Sequence, residues 1–180
     1  MADDPLAMVR AIHGEFQRLR ALAERAAAQV DDASFAATLD EDGNSIAALM
    51  KHVGGNLRSR WEEFRTTDGE KEDRRRDGEF EPNETREGIG AIWARGWQTL
   101  DQALSGIGPD DLDRSLRIRG EPIALADALA RSLAHTAGHV HQLVLLARHW
   151  TGRNWQTLSI PRGQSEQFRR ARQGRFPSGT

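Results

Sequence analysis

The spacing of the apolar residues most limits what this chain can fold into. From Pro5 to Val30, Leu6, Val9, Ile12, Phe16, Leu19, Leu22 and Ala23 recur at steps of three and four, the period of an amphipathic helix. The same period runs through Ile46, Leu49, Met50, Val53, Leu57, Trp61 and Phe64, and again through Ile89, Ile92, Trp93, Trp97, Leu100 and Leu104. A fourth run extends from about Ile123 to Trp150. Four such apolar faces with almost no strand signal can be hidden together by packing against one another. The expected fold is therefore all-α, a four-helix bundle.

The punctuation agrees. Pro5 suits a first helical turn, Asn44 or Ser45 is placed to cap the second helix, and Asn83 with Arg86 and Glu87 opens the third. Gly106, Gly108 and Pro109 end the third. "LDRSLRIRGEPIAL" alternates briefly, which predicts an extended excursion too short to found a sheet. "DGEKEDRRRDGEFEP" is charged and closed by a proline, and reads as a solvated loop. Residues 1–160 are expected to form the bundle. Residues 161–180 read as an irregular tail, partly disordered, with one short helix around Ser165 to Arg172.

Composition removes several chemistries. Cysteine and tyrosine are both absent, so thiolate metal sites, disulfides, a cysteine nucleophile and a phenol acid or base are excluded. The formal net charge of −2 offers nucleic acid no general attraction. Arg74, Arg75 and Arg76 are surrounded by acids and lack an interleaved aromatic platform, and only the tail "RRARQGR" otherwise suggests such a partner. Neither a basic leader followed by an apolar stretch nor a membrane-length apolar run is present, and a cytoplasmic location is expected.

"SLAHTAGHVHQLVLL" places His135, His139 and His141 within the fourth helical run. At about 100° per residue, His135 and His139 fall on one face with Leu125, Leu129, Ser132, Leu143, Leu146 and Trp150, which predicts that both lie on the buried stripe. Their i, i+4 spacing allows both rings to reach one metal ion. His141 points about 200° from His139 and is expected at the surface, and His149 lies some 15 Å along the axis from His139, too far to join. Thr136 stands where a zinc protease carries its glutamate, so that reading fails. By itself the pair fits two hydrogen-bonded core histidines as well as it fits two ligands. A candidate third ligand is His52 in "MKHVGGNLRSRW", where Gly54 and Gly55 weaken the helix by about 1 kcal/mol each relative to alanine. Such a pair calls for a reason: the close approach of another backbone, or room for a metal and a substrate.

Taken together, the four helices, "LMKH" in the second and "HTAGHVHQL" in the fourth resemble the DinB/YfiT-like superfamily. "NSIAALMKHVGGNLRSRWEEFRTTDGEKEDRRRDGEFE" and "PRGQSEQF" resemble a bacterial subfamily of uncharacterised function within it. The likeness covers roughly residues 5 to 168. It implies that His52, His135 and His139 bind a divalent metal, usually zinc or nickel, at one end of the bundle. The family pattern often continues with arginine, glycine and glutamine after the last ligand; here Val140, His141 and Gln142 follow, and only Gln142 matches. Some relatives are thiol-dependent transferases or isomerases that use low-molecular-weight thiols, and the family is often dimeric. The resemblance thus implies a metal-dependent enzyme acting on a small molecule, a transferase or hydrolase, with a thiol as a possible cosubstrate and a homodimer as the expected assembly. A metal-binding bundle without catalysis is the alternative.

Around that set, Asn56 and Gln142 are candidates to orient a metal-bound ligand or a histidine. Arg58, Arg60 and Arg162 are candidates to clamp a carboxylate or phosphate with their forked donors. Solvated or packing roles compete with each of these. Trp61, Trp93, Trp97 and Trp150 read as core or dimer-interface residues. Beyond the histidines, the sequence offers no clear acid or base.

Overall fold

The computed structural model describes residues 4–81 and 83–173. Four long helices form the expected bundle: α1 (Ala7–Ala27), α3 (Ile46–Trp61), α4 (Arg86–Ser105) and α5 (Leu125–Thr151). A short helix α2 (Asp32–Ala36) follows α1, and α6 (Ser165–Gln173) follows the bundle. The extreme end expected to be disordered lies outside the described residues. No helix among the described residues is long and apolar enough to cross a membrane.

Local chemistry sets the starts. Asp31 accepts the Ser34 N–H at 2.8 Å, Ser45 Oγ accepts that of Ala48 at 3.1 Å, and Thr85 Oγ1 accepts that of Gly88 at 3.2 Å. The α2 turn, not anticipated from periodicity, is too short to show a helical period; its Asp31 cap and buried Phe35 hold it in place. The helix expected to run on to Phe64 stops at Trp61, because Glu63 takes φ 47° and turns the chain back. Phe64 is buried nonetheless, edge-on to Trp61 at 5.6 Å.

Cross-contacts give the topology. Lys51 pairs with Glu84 and Glu62 with Arg95, so α3 and α4 run the same way; Thr151 Oγ1 bonds Gln29 O, joining the C-terminal ends of α1 and α5. Arg86 at the start of α4 donates to Ala27 O at the end of α1, so that pair is antiparallel. This up-down-down-up order requires residues 62–85 to travel back along α3 before α4 can begin. The return path explains a correction: Asp68 to Glu81 is not simply a solvated loop. Ser59 donates to Gly69 O, Arg60 pairs with Glu70, and Glu79 comes to rest against His52 and beside Gly55.

The brief alternation forms an antiparallel hairpin, β1 (Ser115–Ile118) and β2 (Glu121–Ala124). Arg119 and Gly120 make its two-residue turn with φ 58° and 78°, the left-handed pair that matches hairpin twist. Both turn N–H groups donate to Asp68, at 2.8 and 2.7 Å, fastening the hairpin to the returning segment.

Gly54 and Gly96 let α3 and α4 cross in backbone contact. A Cβ on Gly54 would stand 2.8 Å from Ile92 O, and one on Gly96 would stand 2.7 Å from Gly54 Cα. Phe16, Trp93 and Trp97 fill the core beside this crossing, Trp61 is buried as well, and Trp150 is half-buried.

Candidate metal centre

His52 on α3 meets His135 and His139 on α5. One nitrogen from each ring can be chosen so that all lie within 4.8 Å of one another. His52 is 2% exposed, and the two α5 rings are half-buried. The deepest line of α5 passes through Leu129, Thr136, Val140 and Leu143. The expectation that His135 and His139 lie on the buried stripe is therefore corrected: they flank it, both turned toward His52 of α3, and His135 also lines the cavity. His141 is exposed and donates from Nδ1 to Ala137 O, as its position on the helical wheel implied.

Second partners orient two of the rings. His52 Nδ1 donates to Glu79 Oε2 at 2.9 Å, and His139 Nδ1 donates to Gln142 Oε1 at 3.0 Å. Each thereby keeps the lone pair of Nε2 for a cation. His52 Nε2 lies 3.1 Å from His135 Nε2, a separation that either an N–H···N hydrogen bond between the two neutral rings or a cation held by both nitrogens satisfies. The hydrogen bond engages two of the rings, and a cation could be held by all three. Burial, then the neighbouring His139 and His52, push His135 down to about 4, so it is neutral at pH 7 as a ligand must be. Burial lowers His139 as well, against the opposing Gln142 hydrogen bond.

Glu79 is the residue that sequence reasoning missed. Burial would raise its carboxyl, but hydrogen bonds from Arg74 and His52 hold it below the usual carboxylate range. Arg74 grips it with two N–H groups, each at 2.9 Å, and the guanidinium is nearly inaccessible to solvent. Phe80 stacks on the His52 ring at 4.6 Å. Gly55 makes this arrangement possible, since a Cβ there would stand 3.1 Å from Glu79 Cδ and closer still to Oε1. Gly54 thus serves the helix crossing and Gly55 the carboxylate. With both oxygens engaged, Glu79 orients His52, and it is not among the residues that line the neighbouring cavity.

A family model, "Protein of unknown function (DUF1572)", matches residues 5–164. The chain belongs to DUF1572. This family is part of the DinB/YfiT-like clan, and its function is unknown. Neither a curated protein nor a solved structure matches the chain.

In this DUF1572 chain a cavity of about 170 Å³ opens beside the histidines. His52, Asn56 and Arg60 contribute to its wall from α3, and Arg131, Ser132 and His135 from α5. Asn56 is 7% exposed, and its amide has no hydrogen-bond partner among the described residues. The other suggested arginines lie elsewhere. Arg58 is held by Glu62 and Asp73 at 3.2 and 2.8 Å, and Arg162 is exposed; neither lines this cavity.

Proposed function

We propose that this protein is a divalent-metal-dependent enzyme acting on a small molecule, a transferase or hydrolase, with zinc or nickel held by His52, His135 and His139. One observation carries the reading: three imidazoles converge without a fourth protein ligand among the described residues, beside a cavity instead of sealed in the core. Structural zinc is normally closed by four protein ligands, and an open position is the mark of a catalytic site. A bound cation would supply Lewis acidity, bringing the proton of a water or thiol within reach of neutral pH. The protein has no cysteine, so any thiol arrives as a cosubstrate. Glu79 and Gln142 hold the tautomers of His52 and His139, and the unpartnered Asn56 amide is available to fix the incoming ligand.

A metal-stabilised bundle without catalysis is the second reading, favoured by the engagement of Glu79 with Arg74 and His52 and by the lack of a carboxylate among the described residues that line the cavity. The deciding measurement is metal per chain on untagged protein, comparing wild type with His135→Ala. Near-stoichiometric metal that the variant loses supports the site, and thiol-transfer and hydrolytic substrates are then screened on loaded protein. Absence of metal in both, even after zinc or nickel is added, overturns it. A loaded site that no substrate or thiol protects from chelators favours the second reading.

A further inference from the structure

The cavity wall is strongly cationic, although the chain as a whole carries a formal net charge of −2. Five guanidiniums line it: Arg60, Arg74, Arg76, Arg119 and Arg131. Two carboxylates answer them. Glu70 is shared among Arg60, Arg74 and Arg119, and Glu79 is taken by Arg74 and His52. Arg76 and Arg131 make no ion pair with the described residues. Like charges gathered in a cleft repel one another and focus a positive potential on whatever enters it.

Arg119 is there at a conformational cost. It occupies the left-handed region, which disfavours a residue with a Cβ by about 1–2 kcal/mol, although asparagine or glycine would satisfy the same hairpin turn. Asp68 fixes that turn through both backbone N–H groups, which holds the Arg119 side chain over the cavity. Strain of this kind concentrates at ligand-binding sites.

We propose that this cavity binds a small anion, a carboxylate- or phosphate-bearing molecule, with Arg76 and Arg131 as its principal clamps, Arg119 closing from the hairpin, and Asn56 turning the remainder of the ligand toward His52 and His135. Forked guanidinium donors match the paired oxygens of both anions, and a cavity of about 170 Å³ takes a small molecule in preference to a polymer. The proposal deepens the reading of the metal centre and rests on it only for which end of the ligand reacts.

The test is calorimetric titration at low salt of chelator-treated protein, so that no metal competes for the anion, with inorganic phosphate and with succinate. Saturable binding of either is expected, weakened about tenfold by Arg131→Gln and by Arg76→Gln, each equivalent to ~1.4 kcal/mol. The exposed Arg153→Gln, outside the cavity, serves as the unaffected reference. Tighter phosphate binding assigns a phosphoryl ligand, and tighter succinate binding assigns a carboxylate. No saturable binding below about 10 mM, an affinity of only ~2.7 kcal/mol, overturns the proposal. So does binding indifferent to both substitutions in variants whose melting matches wild type. Metal content after reloading is read separately: arginine-dependent anion binding without metal uptake sinks the enzymatic reading and leaves the anion site standing, while metal uptake without anion binding does the reverse.

Discussion

Glu79 Oε2 stands 2.9 Å from His52 Nδ1, twenty-seven residues apart in sequence, and this contact joins the returning segment to the candidate metal centre. A carboxylate behind a ligating histidine fixes the ring and raises its basicity; removing such a partner commonly costs 10- to 100-fold in metal affinity. Glu79→Gln should therefore loosen zinc by roughly that factor in a chelator competition. Equal affinity in wild type and variant would reduce Glu79 to a fastening for the loop. Gly55→Ala, which drives a methyl into the same carboxylate, should reproduce the effect, and the two changes together should fall short of additive because they act on one contact.

The close crossing of α3 and α4 predicts opposite signs for two glycines on one helix. Gly96→Ala places its Cβ against the Gly54 backbone, which cannot yield as a flexible side chain would, and should destabilise by about 1–3 kcal/mol or more. Gly90→Ala meets open space and should stabilise by roughly 0.5–1 kcal/mol, since alanine restricts the unfolded chain and favours helix. Urea denaturation of both variants decides it. A similar change of midpoint for the two would contradict the assigned crossing.

The histidines were legible because their information is local. A spacing of i, i+4 on a helix places two rings on one face whatever surrounds them, and His52 lies on a helix with its own clear period. Glu79 was not legible, because its position depends on the path of a charged segment that has no apolar period to reveal it. Two signals pointed there. Gly54 and Gly55 demanded an explanation, and Phe80 stood as the single apolar residue in an otherwise polar stretch. The cationic cavity was hidden for the same reason: Arg60 and Arg131 sit on helices, but Arg76 and Arg119 reach it from a loop and a hairpin tip, so no sequence spacing links the four.

Asp111 gives the acid limb of the stability curve a specific cause. Its carboxylate accepts two N–H groups of Arg65, at 3.0 and 2.9 Å, with further bonds from Gly108 N and Arg114 Nε. The Arg65 hydrogen bonds first, then the Gly108 N–H, hold it far below its ordinary value of 3.8. A depressed folded-state value means that the unfolded chain binds the proton more readily, so stability rises with pH through this range. The contribution is complete well above 3.8 and drains away as pH falls below it. Melting temperatures of wild type and Asp111→Asn should therefore differ most near neutrality, with a gap that begins to narrow only as pH falls below 3.8 and closes only toward the far lower folded-state value. A constant gap would assign the acid limb to other groups.

Arg119 sets stability against ligand binding at a single position. Its left-handed backbone is strained, its side chain is half exposed, and its pairing with Glu70 is of the kind that contributes little to folding. Asn-Gly is the favoured pair for this hairpin turn, so Arg119→Asn should relieve the strain and stabilise the protein by about 0.5–1 kcal/mol, or roughly 2–4 °C of melting temperature per kcal/mol at this size. The same substitution removes a guanidinium from the cavity and should weaken phosphate or succinate binding several-fold. A more stable variant that binds the anion less well would identify the strain as the cost of placing that charge. A less stable one would mean that the Arg119–Glu70 pair contributes more than the turn loses, and unchanged anion binding would remove Arg119 from the site.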